Sequence, residues 1–290
     1  MIYLLLSILA SSIIFLVFKL FEGFKINTFQ AIVVNYFIAC VSGLVAYGQP
    51  IDLINIQQYA WFPGTIFLGF LFIVIFNLMA ITTQRSGLSV VSVSTKMSVV
   101  IPICFGLFYY QEAAGFLKLT GIGLALIAVY LVSLKKTTAK TISKNDLLFP
   151  ILVFVGSGII DTTIKFLEAS FVAKEDVPLF SAVIFATAFT LGILVFIFQL
   201  YNRQQKLQIK NILGGIALGV PNYFSIYFLV QALRNPNLES SVVFTLNNVG
   251  ILMLATLLGI VFFKEKLSTK NWIGFGLAVF SIILIAIVKA

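Results

Sequence analysis

A chain of 290 residues that is 60% hydrophobic and only 10% charged cannot clothe itself for water, since a soluble protein of this size carries roughly a quarter of its residues charged. Its mean hydropathy of +1.09 assigns most of its surface to lipid. Without histidine it lacks the commonest metal ligand and the commonest general base near neutral pH, and its formal charge of +9 lies largely in short connections between apolar runs, which suits membrane topogenesis rather than nucleic acid.

Residues 1–18 are all apolar or small, begin without a basic residue and reach spanning length, so they read as a retained first span rather than a cleaved signal. Crossing ~30 Å of hydrocarbon takes about 20 mostly apolar residues. Ten such stretches follow in order: 1–21, 29–48, 60–83, 88–110, 116–134, 148–169, 178–200, 211–233, 240–263 and 270–289. Runs such as 67–78 do not alternate as barrel strands would. The expected fold is therefore an all-α polytopic membrane protein with ten transmembrane helices. Connections are short, often four to ten residues, and leave no room for a soluble domain; the longest polar stretch, KKTTAKTISKND at 135–146, marks a linker. Cys40 and Cys104 sit in apolar runs and read as core residues, not a disulfide or metal pair. No metal or cofactor site is expected.

The two sides of the linker repeat. SSIIFLVFKLFE at 11–22 lines up without gaps on SGIIDTTIKFLE at 157–168, GTIFLG at 64–69 on GGIALG at 214–219, and YYQEAAGFLKLTGIGLAL at 109–126 on FFKEKLSTKNWIGFGLAV at 262–279. The offset drifts from 146 through 150 to 153, as a few loop insertions require. This divides the chain into a first five-helix repeat at 1–134, a polar linker at 135–147 and a second repeat at 148–290. A repeat with an odd number of spans ends on the side opposite its start, so the second copy is expected to insert upside down. Inverted repeats are a recurrent transporter architecture, since exchanging the conformations of the halves turns an outward-open state into an inward-open one.

Three features recur in both halves: a lysine near the end of spans one and six (Lys19, Lys165), a glutamate after spans four and nine (Glu112, Glu265), and a Gly-x-Gly opening to spans five and ten (Gly121, Gly123; Gly274, Gly276). In these the chain resembles the EamA-type members of the drug/metabolite transporter superfamily, over essentially its whole length. The resemblance implies a ten-helix carrier that works without ATP, similar to exporters of amino acids and other small metabolites, in the inner membrane of a bacterium. It also implies cytoplasmic termini. The basic residues imply the reverse: loops after odd-numbered spans hold twelve Lys and Arg, the other side only four, counting Lys118, Lys174, Arg234 and Lys289.

Ionisable groups within hydrocarbon cost about 2.5–3.5 kcal/mol each on insertion scales. Lys96 in span four and Asp161 in span six stand at depths that allow an ion pair. Three uses are open: binding the opposite ends of a zwitterion, uptake of a coupling proton by Asp161, or a structural pair that locks the halves together. Asn77, Asn222, Asn247 and Asn248 are buried amides suited to interhelical hydrogen bonds or to a cavity wall, and Tyr223 and Tyr227 lie one turn apart beside them. Pro102 and Pro221 are expected to break or kink their helices. Lys19 and Lys165 read as snorkelling residues. Gly121–Ala125 and Gly274–Ala278 are small-xxx-small spacings that bring spans five and ten together.

The expected activity is secondary transport of a small solute, an amino acid or related metabolite carried outward by alternating access. A flippase for a lipid-linked or amphiphilic substrate, or a multidrug exporter, is the alternative. An enzyme is disfavoured by the lack of histidine, clustered carboxylates or a Walker loop. Membrane lipids, a small-molecule substrate and a proton are the expected partners. Ten helices can enclose a path within one chain, so a monomer is the default.

Overall fold

The computed structural model describes residues 1–50, 55–86, 88–133, 148–202, 207–264 and 267–287; the linker at 135–147 and Glu265 lie outside them. Among the described residues the helices are α1 (Ile2–Phe24), α2 (Thr28–Tyr47), α3 (Phe62–Ser86), α4 (Leu88–Met97), α5 (Val100–Tyr109), α6 (Phe116–Ser133), α7 (Leu148–Phe171), α8 (Val177–Tyr201), α9 (Ile209–Leu233), α10 (Ser240–Phe263) and α11 (Thr269–Ile287). Seven are long and apolar enough to cross a membrane, and three shorter apolar stretches, Val93–Tyr109, Phe116–Val132 and Thr269–Ile285, complete the ten expected spans. The chain is an all-α polytopic membrane protein. In lipid each backbone group must be satisfied within its own segment, which is why long apolar runs become helices. Hydroxyls follow the same rule by donating back along their own helix, as Ser12 does to the Ile8 carbonyl at 2.7 Å and Thr245 to that of Ser241 at 2.7 Å.

Span four is interrupted between α4 and α5. Pro102 has no N–H to offer the Ser98 carbonyl, which instead accepts from the Ile101 N–H at 2.9 Å in a tighter turn, while the Ser98 hydroxyl donates to the Thr95 carbonyl at 2.7 Å. Pro221 behaves differently. The break expected there does not occur, since α9 runs from Ile209 to Leu233 through the proline. The turn before it is held against α2, where a Cβ on Gly215 would lie 2.5 Å from the Ala31 carbonyl oxygen and one on Gly219 2.9 Å from that of Asn35. Packing that close keeps the helical path despite one missing bond.

The helices form two compact units, Met1–Ile73 with Phe166–Arg234 and Val74–Lys165 with Asn235–Ala290, so each draws on both halves of the sequence. In the first, α2 packs along α8 and α9, and α1 along α9. A polar knot fastens the starts of α2 and α9. The Asn27 side chain caps α2 by accepting from the Gln30 N–H at 3.1 Å, the Asn27 N–H donates to Asn211 Oδ1 at 2.9 Å, and Asn211 Nδ2 donates to Gln30 Oε1 at 2.7 Å. In the second unit α6 packs along α11 over a core of Ala125, Ala128, Val129, Val132 and Ala278. Asn271, in the first turn of α11, donates to the last carbonyls of α6, those of Leu131 and Val132, at 3.0 and 2.9 Å.

Close glycine contacts come in exchanged pairs. Gly64 meets Leu167, and Gly214 meets Phe21, the residue aligned with Leu167. Gly69 meets Thr187 and Gly219 meets Ile38; Gly43 meets Ala182 and Gly192 meets Val33. In the second unit Gly121 meets Ile285, and Gly274 meets Val132. Each contact thus recurs with the two halves' roles swapped. The Gly-x-Gly motifs divide accordingly: a Cβ on Gly274 would lie 2.8 Å from Leu131 Cβ, whereas Gly123 and Gly276 have nothing within 4 Å.

The start of α10 is clamped by Glu112, which lies between α5 and α6. Its carboxylate accepts from the Ser240 N–H at 2.7 Å, from the Ser241 N–H at 3.1 Å and from both serine hydroxyls. Lys118 of α6 donates to it at 3.4 Å and also to Glu239, whose other oxygen accepts from the Ala113 N–H at 3.0 Å. Glu112 therefore caps a helix 128 residues away while also pairing with Lys118 nearby in the chain. Lys118 is 2% exposed inside α6, so it is not a loop charge, and the sparse side of the charge count loses one of its four members.

Two expectations follow. Gly274→Leu should destabilise the protein by about 1–3 kcal/mol through overpacking, while Gly276→Leu should leave thermal melts in detergent unchanged; equal effects would show that α6 and α11 do not meet as described. Burial alone would raise the Glu112 carboxyl, but the hydrogen bonds from Ser240 and Ser241 and the Lys118 ammonium hold it below the ordinary 4.5. A folded value below the unfolded one means that the clamp's full stabilisation is present above 4.5 and is lost as pH falls from there through the folded value. Glu112→Gln should cost about 1.5–3 kcal/mol at neutral pH and flatten that acid-side loss. Parallel melting curves for variant and parent across that range would assign the acid sensitivity elsewhere.

Candidate functional site

The predicted site residues fall in two groups, each within one unit. In the second unit α7 is wedged between two neighbours by two glycines. A Cβ on Gly156 would strike Ile75 of α3, and one on Gly158 would lie 2.7 Å from the Ile101 Cβ of α5. That close approach carries Asp161, one turn beyond Gly158, to the broken span, where its charge and that of Lys96 act on each other. Both side chains are partly exposed rather than sealed in the core. Lys96 occupies the last turn of α4, next to the interruption at Ser98–Val99. Ser98 itself is 1% exposed and turned onto its own helix.

Asn77 lies in the part of α3 that belongs to this unit and is half-buried. On α10, Asn248 donates to the Phe244 carbonyl at 3.2 Å, a bond within its own helix. Asn247 is 5% exposed, and its Oδ1 has no hydrogen-bond partner among the described residues. A buried acceptor left open is costly. Lys165, one turn beyond Asp161, has its ammonium 5.5 Å from the centre of the Tyr110 ring.

In the first unit Asn222 donates through Nδ2 to Asn35 Oδ1 at 3.1 Å, linking α9 to α2. Asn222 is thus at least partly spent on an interhelical bond. Tyr223 is fully buried, its ring filling the space beside Gly43, and its hydroxyl has no partner among the described residues. It does not face lipid. Tyr227 stacks on it with centroids 5.8 Å apart, and Gln231 Nε2 donates to the Tyr227 hydroxyl at 3.4 Å.

Sequence reasoning passed over Asn35, although an amide inside an apolar span is the same signal that singled out Asn222. It also passed over Asn27, Gln30 and Asn211, which sit at helix ends where polar residues are ordinary. Among the described residues there is no group of three or more His, Cys, Asp or Glu that could hold a metal ion.

Comparison with known proteins places this geometry. Residues 147–287 match the EamA-like transporter family. The chain is 27% identical over 276 residues to an uncharacterized protein of Haemophilus influenzae, covering 93% of this chain and 92% of that protein. A protein solved by crystallography, only 12% identical, shares its fold with a TM-score of 0.76 over 99% of this chain and 96% of the other. The second half of the chain is thus similar to the EamA-like transporters of the drug/metabolite transporter superfamily, and the chain is a multi-pass membrane protein that shares the solved protein's fold along its length.

Proposed function

We propose that the protein is a secondary carrier for a small zwitterionic metabolite, an amino acid or a close relative, exported from a bacterial cytoplasm by alternating access between its two five-helix halves. The observation that carries this reading is the close packing of α7 on the broken span at Gly158 and Ile101, which brings Asp161 and Lys96, both partly exposed, within electrostatic reach of each other. Opposite charges on neighbouring helices match the carboxylate and ammonium of a zwitterion. Interrupted helices are where carriers bring backbone carbonyls to a substrate. Asn247, with its open acceptor, adds a neutral contact for the same ligand. The exchanged glycine contacts support alternating access, because halves that make the same contacts with roles reversed can also trade conformations.

Asp161 is the residue that would take the coupling proton, since a carboxylate within the membrane exchanges one at little cost once its counter-charge is engaged elsewhere. Asp161→Asn should abolish accumulation driven by a pH gradient in proteoliposomes while solute exchange continues. Undiminished proton-driven uptake would refute the coupling role. Lys96→Ala should weaken substrate affinity at least tenfold with little change in expression or melting temperature; loss of fold and binding together would mark the pair as structural. The substrate for both assays comes from a thermal-shift screen of the purified protein against metabolites, since a true ligand stabilises the state it binds.

A further inference from the structure

The clamp on α10 joins two turns of the second unit, the one between α5 and α6 and the one before α10. Both follow even-numbered spans and so share a membrane face. Glu112 accepts there from the N–H groups and hydroxyls of Ser240 and Ser241 and from the Lys118 ammonium. Glu239 completes the cluster by accepting from Lys118 and, at 3.0 Å, from the Ala113 N–H. Capping a helix asks for one acceptor, not for a buried lysine and a second carboxylate as well. The inverted half does not repeat the arrangement. SVV at 89–91 lines up with SVV at 241–243, an offset of 152 that falls within the drift from 150 to 153. On that register Glu239 is matched by Gly87 and Ser240 by Leu88, while Asn271 stands in the place of Lys118. Asn271 uses its amide on the Leu131 and Val132 carbonyls. Only Glu265 and Ser89 repeat Glu112 and Ser241.

We infer that Glu112, Lys118, Glu239 and the Ser240–Ser241 pair form a one-sided latch that sets the carrier's resting conformation, holding the start of α10 on the α5–α6 turn until transport opens it. This rests on the reading of the two halves as partners in alternating access. When inverted halves exchange conformations, a contact closed in one half is open in the other. The balance between the two states then follows the difference in strength between a contact and its counterpart. Matched contacts would favour neither state. Here one is a buried ion cluster, and the aligned positions of the other half lack its lysine, its second carboxylate and one hydroxyl. The state with Glu112 engaged is therefore the favoured one. Burial of Lys118, 2% exposed, is sustained by its two carboxylates, so separating the turns would strand buried charge on both sides. Losing one charge-assisted hydrogen bond from such a contact shifts its equilibrium about tenfold or more.

Spin labels on the two turns report the latch without any ligand, through the distance between Ala114→Cys and Asn237→Cys, both at exposed positions, in the full chain in lipid bilayers. Cys40→Ala and Cys104→Ala remove the native thiols. The parent should show one short distance. Glu112→Gln and Lys118→Met should each raise the share of a second, longer distance at least about tenfold relative to the short one. Glu265→Gln should not raise it. Glu239→Gln, which alters the most exposed member of the cluster, replaces any variant that fails gel filtration. An unchanged single distance in the Glu112, Lys118 and Glu239 variants, with only a lower melting temperature, would make the cluster a plain helix cap and overturn the inference. Equal opening by Glu265→Gln would overturn it too. Solute export by the parent with those distances unmoved would remove the latch alone. A latch that opens as described in a parent that carries none of the screened solutes would remove the carrier reading and leave the two-state contact standing.

Discussion

Close approach of helix backbones is the constraint on which this structure depends. Lipid is as apolar as leucine, so burying one apolar side chain against another gains little, and helices are held by van der Waals contact and by hydrogen bonds. The glycines supply the contact. At Gly43, Gly69, Gly215 and Gly219 the neighbouring helix occupies the space a side chain would need, and the first unit is assembled around those four places. The second unit repeats the device at Gly121 and Gly274 between α6 and α11, and at Gly156 and Gly158 on α7. The hydrogen bonds supply specificity at the helix ends, where Asn211, Asn271 and Glu112 each satisfy groups on a different helix.

The same device positions the charges. Asp161 reaches the broken span because Gly158, one turn earlier, lets α7 press onto α5. Lys96 is available there because Pro102 interrupts the helix after α4, so the lysine ends a helix instead of sitting in the middle of one. A larger residue at 158 would push α7 away from Ile101 without touching either charge. The far end of α5 is likewise tied down, since Glu112 clamps the beginning of α10 where Gly106 leaves room for Ser240.

Several residues are assigned differently by structure than by pattern. The two prolines look alike in sequence, yet one ends a helix and the other does not, because only α9 has glycines that hold its backbone against a neighbour before the proline. Lys118 reads as a loop charge in a count of basic residues, but it is enclosed by the carboxylate of Glu112 nearby in the chain and by that of Glu239, 121 residues on. The paired glycines of each Gly-x-Gly read as one motif, though only the first of each pair lies in an interface. In every case the deciding neighbour is more than a hundred residues away.

The amino-acid sequence by itself determined that the chain lives in lipid, that it crosses ten times and that its halves repeat, because hydropathy, span length and internal similarity are local properties of the string. It also singled out Lys96 and Asp161, since a charge within an apolar run is visible wherever it is. Which helices touch, and therefore which charge meets which, only the tertiary structure decided: lateral packing depends on the fit of two surfaces that no single segment carries. Depth along a helix follows from counting residues, whereas proximity across helices follows from where glycine lets two backbones close.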